Sequence, residues 1–277
     1  MYFTKYTGLG NDFVFLDGQT ALDITNPSLL AQKICDRRFG VGADGLVLLL
    51  PSQKADVRMR IINSDGSEAE MCGNASRCVP LHLYRRGLSH RRDVSLETLA
   101  GIIHTEIVDE CCGLVRVDMG PARLTRAEIP MDGFPTERAI NVPVEACGQT
   151  FYGTAVSMGN PHFVIFTDEV EKVPLAQWGP ELEKNPLFPR KTNVEFVQVL
   201  NEHTLRMRVW ERGAGITQAC GTGACAAAVA SVLNNKTAAQ VSVKLDGGDL
   251  QIEWPEQKRV LMTGLAQEVF TGDYLDL

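Results

Sequence analysis

No stretch of the 277-residue sequence approaches the roughly 20 consecutive apolar residues that a membrane-spanning helix requires. The first residues, Met1–Lys5, also lack the apolar centre of a secretory signal. Basic residues are fewer than acidic ones, so the formal net charge is -7 and the isoelectric point is about 5.3. This acidic balance argues against nucleic acid as the main partner. We therefore expect a cytoplasmic protein with neither a membrane nor a nucleic-acid partner.

The eight cysteines do not follow a zinc-binding pattern. No C-x2-C pair occurs: Cys72 and Cys78 are six positions apart, and Cys111 and Cys112 are adjacent. Disulfides are rare in a reducing cytosol, and no glycine-rich phosphate-binding loop is present, so we expect free thiols, no metal and no cofactor. The cysteines predicted to be buried apolar fillers are Cys35, Cys78, Cys147 and Cys225.

The two halves of the chain match each other at an offset of about 148 residues. Arg58–Ile61 resembles Arg206–Val209, and a Cys-Gly pair follows fourteen residues after each first arginine, at Cys72 and Cys220. A shared order at a near-constant offset indicates a duplicated domain. The further matches are Gly10-Asn11 with Gly159-Asn160, Val94-Ser95 with Val241-Ser242, and Gly101 with Gly248.

Each half has the same predicted plan, in which alternating strands lead through a glycine-containing loop to the Cys-Gly pair and then to a helix. The second such helix, Gly223–Leu233, is apolar nearly all round, which predicts that it is buried inside a wrapped sheet. Asn26-Pro27 predicts the start of another helix. The fold class is α+β, with two pseudo-symmetric lobes that each wrap a mostly antiparallel sheet around a central helix. We place the lobes at 1–119 and 120–265, with 266–277 returning to the first and the active site between them.

The two Cys-Gly pairs are the main chemical clue. The first N–H groups of a helix are unpaired, and the helix dipole there favours a thiolate. A single cysteine at such a place is compatible with a structural cap, but Cys72 and Cys220 hold equivalent places in a duplicated chain. Two opposed thiols suit inversion at a carbon that bears hydrogen, since one removes the proton and the other returns one to the opposite face.

Polar side chains also recur at matched positions. Asn11 matches Asn160, and Asn63 and Glu211 each end a strand nine residues before a cysteine. With Asn193 they suggest a cleft lined for a zwitterion. Each also has a plainer interpretation, because Asn is common in turns and Glu211 could form a surface pair with its neighbour.

Seven runs along the chain form a recognisable set: Gly8–Phe13, Asn63–Glu68, Met71–Asn74, Ser157–His162, Thr192–Val194, Glu211–Gly215 and Thr217–Gly223. In these runs the chain closely resembles the diaminopimelate epimerases. The resemblance implies epimerisation of LL- to meso-2,6-diaminopimelate without pyridoxal phosphate, for lysine and peptidoglycan synthesis. It also implies a homodimer with a hydrophobic contact near Phe270.

The same resemblance implies roles for particular residues. Cys72 and Cys220 are the acid/base pair, with Glu211 facing a substrate ammonium and His162 supporting the site. The reacting carboxylate is held by backbone N–H groups of Gly73, Asn74, Gly221 and Thr222. The distal amino-acid end is held by Asn63, Asn160, Asn193 and Arg212.

Two residues depart from the family pattern, and two other functions stay open. Ala75 replaces a usual glycine, with little expected effect unless that position needs a positive φ. Pro80 falls inside the first central helix and should kink or shorten it. The open alternatives are a proline or hydroxyproline racemase of the same fold and, in another class, a cysteine-rich zinc or redox-sensing binding protein.

Overall fold

The computed structural model describes residues 1–275. The chain forms two compact units, one of Met1–Asp118 with the segment from Thr263 onward, and one of Met119–Met262. Asp276 and Leu277, the end of the predicted returning segment, lie outside the described residues. No helix within residues 1–275 is long and apolar enough to cross a membrane.

The first unit contains eight strands from the N-terminal part of the chain and one from its C-terminal part. The strands are β1 (Tyr2–Gly8), β2 (Asn11–Leu16), β3 (Gly45–Leu50), β4 (Val57–Asn63), β5 (Glu68–Ala69), β6 (Asp93–Thr98), β7 (Gly101–Asp109) and β8 (Leu114–Pro121). The helices are α1 (Gly18–Leu22), α2 (Pro27–Ile34) and α3 (Gly73–Arg85). The last residues of β8 belong to the second unit.

The second unit repeats this order of elements. Its strands are β9 (Val142–Ala146), β10 (Gln149–Ser157), β11 (Pro161–Phe166), β12 (Asn193–Asn201), β13 (Thr204–Glu211), β14 (Gly215–Ile216), β15 (Gln240–Leu245), β16 (Gly248–Glu253) and β17 (Arg259–Leu265), of which the residues from Thr263 onward belong to the first unit. Its helices are α4 (Leu175–Glu183) and α5 (Gly221–Leu233), with short 3-10 turns at Val170–Lys172 and Pro255–Gln257. The chain then forms β18 (Gln267–Asp273), which pairs antiparallel with β1 in the first unit.

Strand pairing follows the same pattern in both units. In the first, β1–β2, β3–β4 and β6–β7 are antiparallel, whereas β2–β3 and β4–β6 are parallel. In the second, β10–β11, β12–β13 and β15–β16 are antiparallel, whereas β11–β12 and β13–β15 are parallel. The predicted α+β fold with mostly antiparallel sheets is therefore confirmed.

A buried helix lies at the centre of each unit. Helix α5 is buried along nearly its whole length and packs against six strands of its unit. Helix α3 is buried from Gly73 to Leu83 and packs against β1, β2, β6, β7 and β18. The side chains of β13 alternate, with Leu205, Met207 and Val209 buried, as a strand that covers a core on one face requires.

The structure corrects three details of the sequence analysis. Helix α5 begins at Gly221, two residues before the predicted start, because Cys220 occupies the capping position. Pro80 does not shorten α3, which has 13 residues, as many as α5. Cys147, predicted to be a buried filler, is only half-buried. With Gly148 it has a positive φ in the two-residue turn between β9 and β10, so the conformation of the turn rather than packing in the core determines its place.

Candidate active site

Cys72 caps the first central helix. Its backbone is extended (φ -140°, ψ 115°), and the helix begins at the next residue. The half-buried thiol lies 3.8 Å from Asn11 Oδ1, and Asn74 Nδ2 donates to the same oxygen at 3.3 Å. Two of the predicted asparagines, Asn11 and Asn74, thus lie beside Cys72.

The side chain of Asn11 is fixed by a network of charged side chains. Its amide donates to Asp44 Oδ2 at 2.6 Å, and Arg37 donates to Asp44 Oδ1 at 2.8 Å. Arg37 and Lys5 also pair with Asp12 at 2.8 Å each. Burial raises the pKa of Asp12, but the two cations outweigh it and lower the pKa to about 2. Asp12 therefore stays charged, and its ion pairs with Lys5 and Arg37 fix the strand that presents Asn11.

Asn63 ends β4 in a tight turn. Its side chain donates to Ser67 Oγ at 2.9 Å, and its backbone N–H donates to Ser67 O at 2.8 Å. The next residue, Ser64, donates its N–H to Asp44 O at 3.1 Å. Asp44 therefore connects this turn to Asn11.

Arg77 is a buried cation that the sequence analysis did not identify. It has no exposed surface, and its guanidinium donates to Asn74 Oδ1 at 3.0 Å and to Leu265 O at 3.3 Å. The amide of Asn74 is consequently held at both ends, by Arg77 and by Asn11. The sequence signal that could have identified Arg77 is its place inside a helix that is otherwise buried.

Ala75 lies inside α3 and is fully buried. It is not among the residues with positive φ. Alanine therefore fits this helical turn, as expected.

Cys220 caps the second central helix in the same extended conformation (φ -120°, ψ 107°). Its sulfur accepts a hydrogen bond from Gly223 N at 3.4 Å and lies 3.5 Å from Thr222 Oγ1. The thiol is 6% exposed. Both predicted thiols therefore stand directly at the start of a helix.

The electrostatic setting of Cys220 differs from the expected one. Burial raises the pKa of the Cys220 thiol well above its ordinary value, and the negative charges of Glu211 and Glu195 raise it further. Hydrogen bonds from Thr222 and Gly223 lower it, but not enough. The expectation that the helix start favours a thiolate is wrong for Cys220, because desolvation and two carboxylates outweigh the helix terminus.

Glu211 ends β13 beside Cys220. It accepts a short hydrogen bond from the Thr217 hydroxyl. Burial raises the pKa of Glu211, while the hydrogen bonds from Thr217 and Cys220 and the charge of His162 lower it. A carboxyl and a thiol with raised pKa values in contact are suited to exchange a proton.

A chain of polar side chains leads from the Cys220 cap into the core of the second unit. Asn160 Nδ2 donates to Thr222 Oγ1 at 3.2 Å, and Asn160 Oδ1 lies 3.0 Å from His162 Nε2. His162 Nδ1 lies 2.7 Å from Glu195 Oε1. The structure thus brings His162, Asn160 and Thr222 together with Cys220.

Asn193, which pairs in register with His162, is joined to Arg212. Asn193 Nδ2 donates to Pro161 O at 2.7 Å, and Arg212 N donates to Asn193 Oδ1 at 2.9 Å. The Arg212 guanidinium is on the surface and donates to Arg190 O at 3.0 Å. Asn193 therefore holds the backbone at Arg212, whose side chain is exposed.

Glu195 is the residue of this cluster that the sequence analysis missed. It has no exposed surface, although it lies on β12 among apolar neighbours. The signal that could have identified Glu195 is a carboxylate within the buried run Val194–Val197, since a charged residue is rarely buried without a partner. Two positions before it stands Asn193, which had been identified.

Phe270 lies on β18 and is 46% exposed. Its ring meets the ring of Phe3 edge to face, with centroids 5.7 Å apart. Val269 and Tyr2 are exposed to a similar degree. Within residues 1–275 there is no group of three or more His, Cys, Asp or Glu side chains arranged to hold a metal ion.

Comparison with known proteins identifies close relatives over the full length. The family model described as diaminopimelate epimerase matches residues 3–125 and 154–269. Diaminopimelate epimerases of Pelotomaculum thermopropionicum and Moorella thermoacetica are 57% and 53% identical, over 99% of this chain and 99% of each relative.

Solved structures share the fold at much lower identity. A phenazine biosynthesis protein of the PhzF family from Bacillus anthracis superposes with a TM-score of 0.71 at 16% identity, over 99% of both chains. A probable proline racemase from Agrobacterium radiobacter also gives 0.71, at 17% identity over 99% of this chain and 93% of that one. These similarities concern the fold alone, whereas the identities above 50% extend over the whole sequence. The chain belongs to the diaminopimelate epimerase family.

Proposed function

We propose that this chain interconverts LL- and meso-2,6-diaminopimelate with two thiols and no cofactor, in the synthesis of lysine and peptidoglycan precursors. The observation that carries the proposal is the equivalence of Cys72 and Cys220, each of which caps the buried central helix of a unit with the same strand order. One sulfur removes the α-proton as a thiolate, and the other, as a thiol, delivers a proton to the opposite face. The mechanism requires both thiols to reach one carbon.

The reacting carboxylate would be held at the helix starts. The first N–H groups of a helix have no partner within it and attract an anion. Gly73 and Asn74 supply these groups in α3, and Gly221 and Thr222 supply them in α5. Negative charge that develops on the carboxylate as the α-proton leaves would be stabilised there.

Glu211 would set the protonation of Cys220. A thiol with a raised pKa is a proton donor at neutral pH, and it becomes a base only if its proton has an acceptor. Glu211 contacts Cys220 and has a raised pKa of its own. We propose that it takes that proton in one reaction direction and returns it in the other, in addition to facing a substrate ammonium.

The distal amino-acid end would be bound by polar groups beyond the helix starts. We assign this role to Asn63, Asn160, Asn193 and Arg212, with Asn11 and His162 holding the amides around the thiols. Arginine binds a carboxylate through two parallel hydrogen bonds. Proline has no distal amino-acid group, so this set favours diaminopimelate over the racemase alternative.

The decisive experiment is an assay of the purified protein without added pyridoxal phosphate or metal. We expect conversion of LL- to meso-diaminopimelate that persists in the presence of a chelator, and no racemisation of L-proline. Activity that is lost with the chelator and restored by zinc would contradict the two-thiol proposal. Racemisation of proline without epimerisation of diaminopimelate would favour the alternative.

Arg212→Lys should raise the KM for diaminopimelate about tenfold or more, because lysine cannot make the paired contact to a carboxylate. Arg138→Lys is the matched control, since Arg138 is an exposed arginine of the same unit. Steady-state kinetics of both variants would check this. Equal KM values for the two variants would remove Arg212 from the binding site.

We further propose a cytoplasmic homodimer with Phe270 in the contact. Phe270 and Val269 expose apolar surface on β18, and Tyr2 exposes apolar surface on the paired strand β1, opposite Asp273. Phe270→Asp places a charge there and should shift the protein toward monomer in analytical ultracentrifugation. Tyr152→Asp, at an aromatic residue exposed elsewhere, should not; the same shift in both variants would contradict the assignment.

A further inference from the structure

Glu183 is a buried acidic residue that the proposed mechanism does not use. It is the last residue of α4 and is 4% exposed. Its Oε2 accepts a hydrogen bond from Trp210 Nε1 at 2.8 Å, and its Oε1 accepts one from Gly213 N at 3.2 Å. Buried polar groups are hydrogen-bonded in nearly all proteins. Both donors here belong to the stretch of chain that carries Glu211 and Arg212.

Helix α4 is shaped to receive the Trp210 side chain. A Cβ added at Gly179 would lie 2.5 Å from Trp210 Cγ, so a larger residue at that position would displace the ring. Gly179 and Glu183 are four positions apart and therefore lie on the same face of α4. The helix thus makes room for the indole with one residue and accepts its N–H with the other.

Both side-chain oxygens of Glu183 are required as acceptors. The indole N–H of Trp210 and the backbone N–H of Gly213 can only donate. A carboxyl oxygen accepts whether or not the group carries a proton, whereas the nitrogen of an amide cannot accept. An amide at this position would therefore set a donor against a donor at one of the two contacts.

Glu183 also holds the segment that precedes β12. Its backbone oxygen accepts a hydrogen bond from Thr192 N at 3.1 Å. Arg190, two residues earlier, accepts a hydrogen bond from the Arg212 guanidinium, and Asn193 Oδ1 accepts one from Arg212 N. Glu183 is consequently bonded to both segments that meet at Arg212, to one through its backbone and to the other through its side chain.

Glu211 is held by other contacts. Its side chain accepts from the Thr217 hydroxyl, its backbone oxygen accepts from Ala214 N at 3.1 Å, and it pairs with β14. None of these three contacts involves Glu183. A change at Glu183 should therefore displace Arg212 more than Glu211.

We propose that Glu183 is a positioning residue that fixes Arg212 for the distal carboxylate of the substrate. It does so by holding the Trp210 indole and the Gly213 N–H, on either side of the pair Glu211 and Arg212. The inference rests on the proposed role of Arg212 in binding that carboxylate. Helix α4 thereby contributes to the selection of a substrate with a second carboxylate.

Glu183→Gln should raise the KM for diaminopimelate about tenfold, the effect of one lost hydrogen bond between buried groups, and change kcat by less than about twofold. The matched control is Glu181→Gln, on the same helix. Glu181 is exposed and accepts the backbone N–H of Cys147 at 2.8 Å, so its replacement should leave both constants unchanged. An unchanged KM in Glu183→Gln would overturn the proposal, and so would a fall in kcat as large as the rise in KM.

A compensating variant separates positioning from general damage to the fold. Trp210→Phe removes the indole N–H, so an amide at position 183 can turn its oxygen to Gly213 N without facing a second donor. In the Trp210→Phe background, Glu183→Gln should therefore raise KM by less than about twofold. A tenfold rise in both backgrounds would contradict the proposal.

Hydrogen exchange tests the contact without substrate. The amide of Gly213, followed by NMR, should exchange about tenfold faster in Glu183→Gln and at an unchanged rate in Glu181→Gln. Unchanged exchange at Gly213 in Glu183→Gln would overturn the proposal, even while epimerisation is confirmed. If Arg212→Lys leaves KM unchanged, the proposed role of Arg212 fails instead, and this inference fails with it.

Discussion

Cys72→Ala should lower epimerisation of both stereoisomers by about 10²- to 10⁴-fold, the usual contribution of a positioned acid or base. One face of the α-carbon then has no proton donor or acceptor, and inversion needs both faces. The loss should appear in kcat whether the assay starts from the LL- or from the meso-isomer. A variant that kept the kcat of the unaltered protein would contradict the account, because the remaining thiol could then serve both faces.

A matched control uses a thiol of the same unit that the mechanism does not employ. Cys111 is exposed in the turn between β7 and β8, so Cys111→Ala removes a sulfur without disturbing a core. Its kcat should equal that of the unaltered protein. Since Cys72 caps a buried helix, thermal unfolding of Cys72→Ala should be measured alongside, to confirm that a folded enzyme is being assayed.

Glu211→Gln should have the second-largest effect, a fall in kcat of about 10²-fold or more. The amide cannot take a proton from Cys220, whose raised pKa keeps it in the thiol form. Cys220 could then still donate a proton but could not readily become a base. Substrate binding should change less, so the effect should appear in kcat more than in KM.

Glu145→Gln is the matched control for this variant. Glu145 lies in the same unit and, like Glu211, accepts a hydrogen bond from a threonine hydroxyl, that of Thr150 at 2.5 Å. It is exposed on β9 and lies far in sequence from both Cys72 and Cys220. Equal losses in the two variants would show that the effect of Glu211→Gln comes from a disturbed threonine contact and not from a lost proton acceptor.

Much of the fold could be predicted because it rests on local patterns that repeat. The alternation of apolar residues predicted β4 and β13, and both end at the predicted residues, Asn63 and Glu211. Asn26 caps α2 through a hydrogen bond from Leu29 N, as the Asn-Pro pair indicated. An uninterrupted apolar composition predicted the burial of α5. These signals lie within a few residues of the feature that they specify.

The electrostatics of the site could not be predicted in the same way. A helix start suggested a thiolate at Cys220, but the outcome depends on how deeply the sulfur is buried and on carboxylates from two other strands. Glu195 lies 25 positions before Cys220 in sequence. No local sequence pattern predicts that β12 brings Glu195 to the first turn of α5. Balances of this kind are set by tertiary packing.

Helix α3 also differs from what its local sequence predicts. A proline inside a helix removes one hydrogen bond and crowds the preceding turn, so Pro80 predicted a kink or an early end. The helix nevertheless continues to Arg85, because its inner residues are buried against five strands. Tertiary burial outweighs the local cost of one proline.

The central claim is that each thiol serves one face of the substrate carbon, and solvent deuterium tests it most directly. With Cys72→Ala in deuterated water, Cys220 can still remove a proton from the isomer whose hydrogen faces it and return deuterium with retention. The account predicts deuterium in one stereoisomer only for Cys72→Ala, and in the other only for Cys220→Ala, as read by NMR or mass spectrometry of recovered substrate. Equal exchange into both stereoisomers by a single variant would contradict it, because one base would then reach both faces.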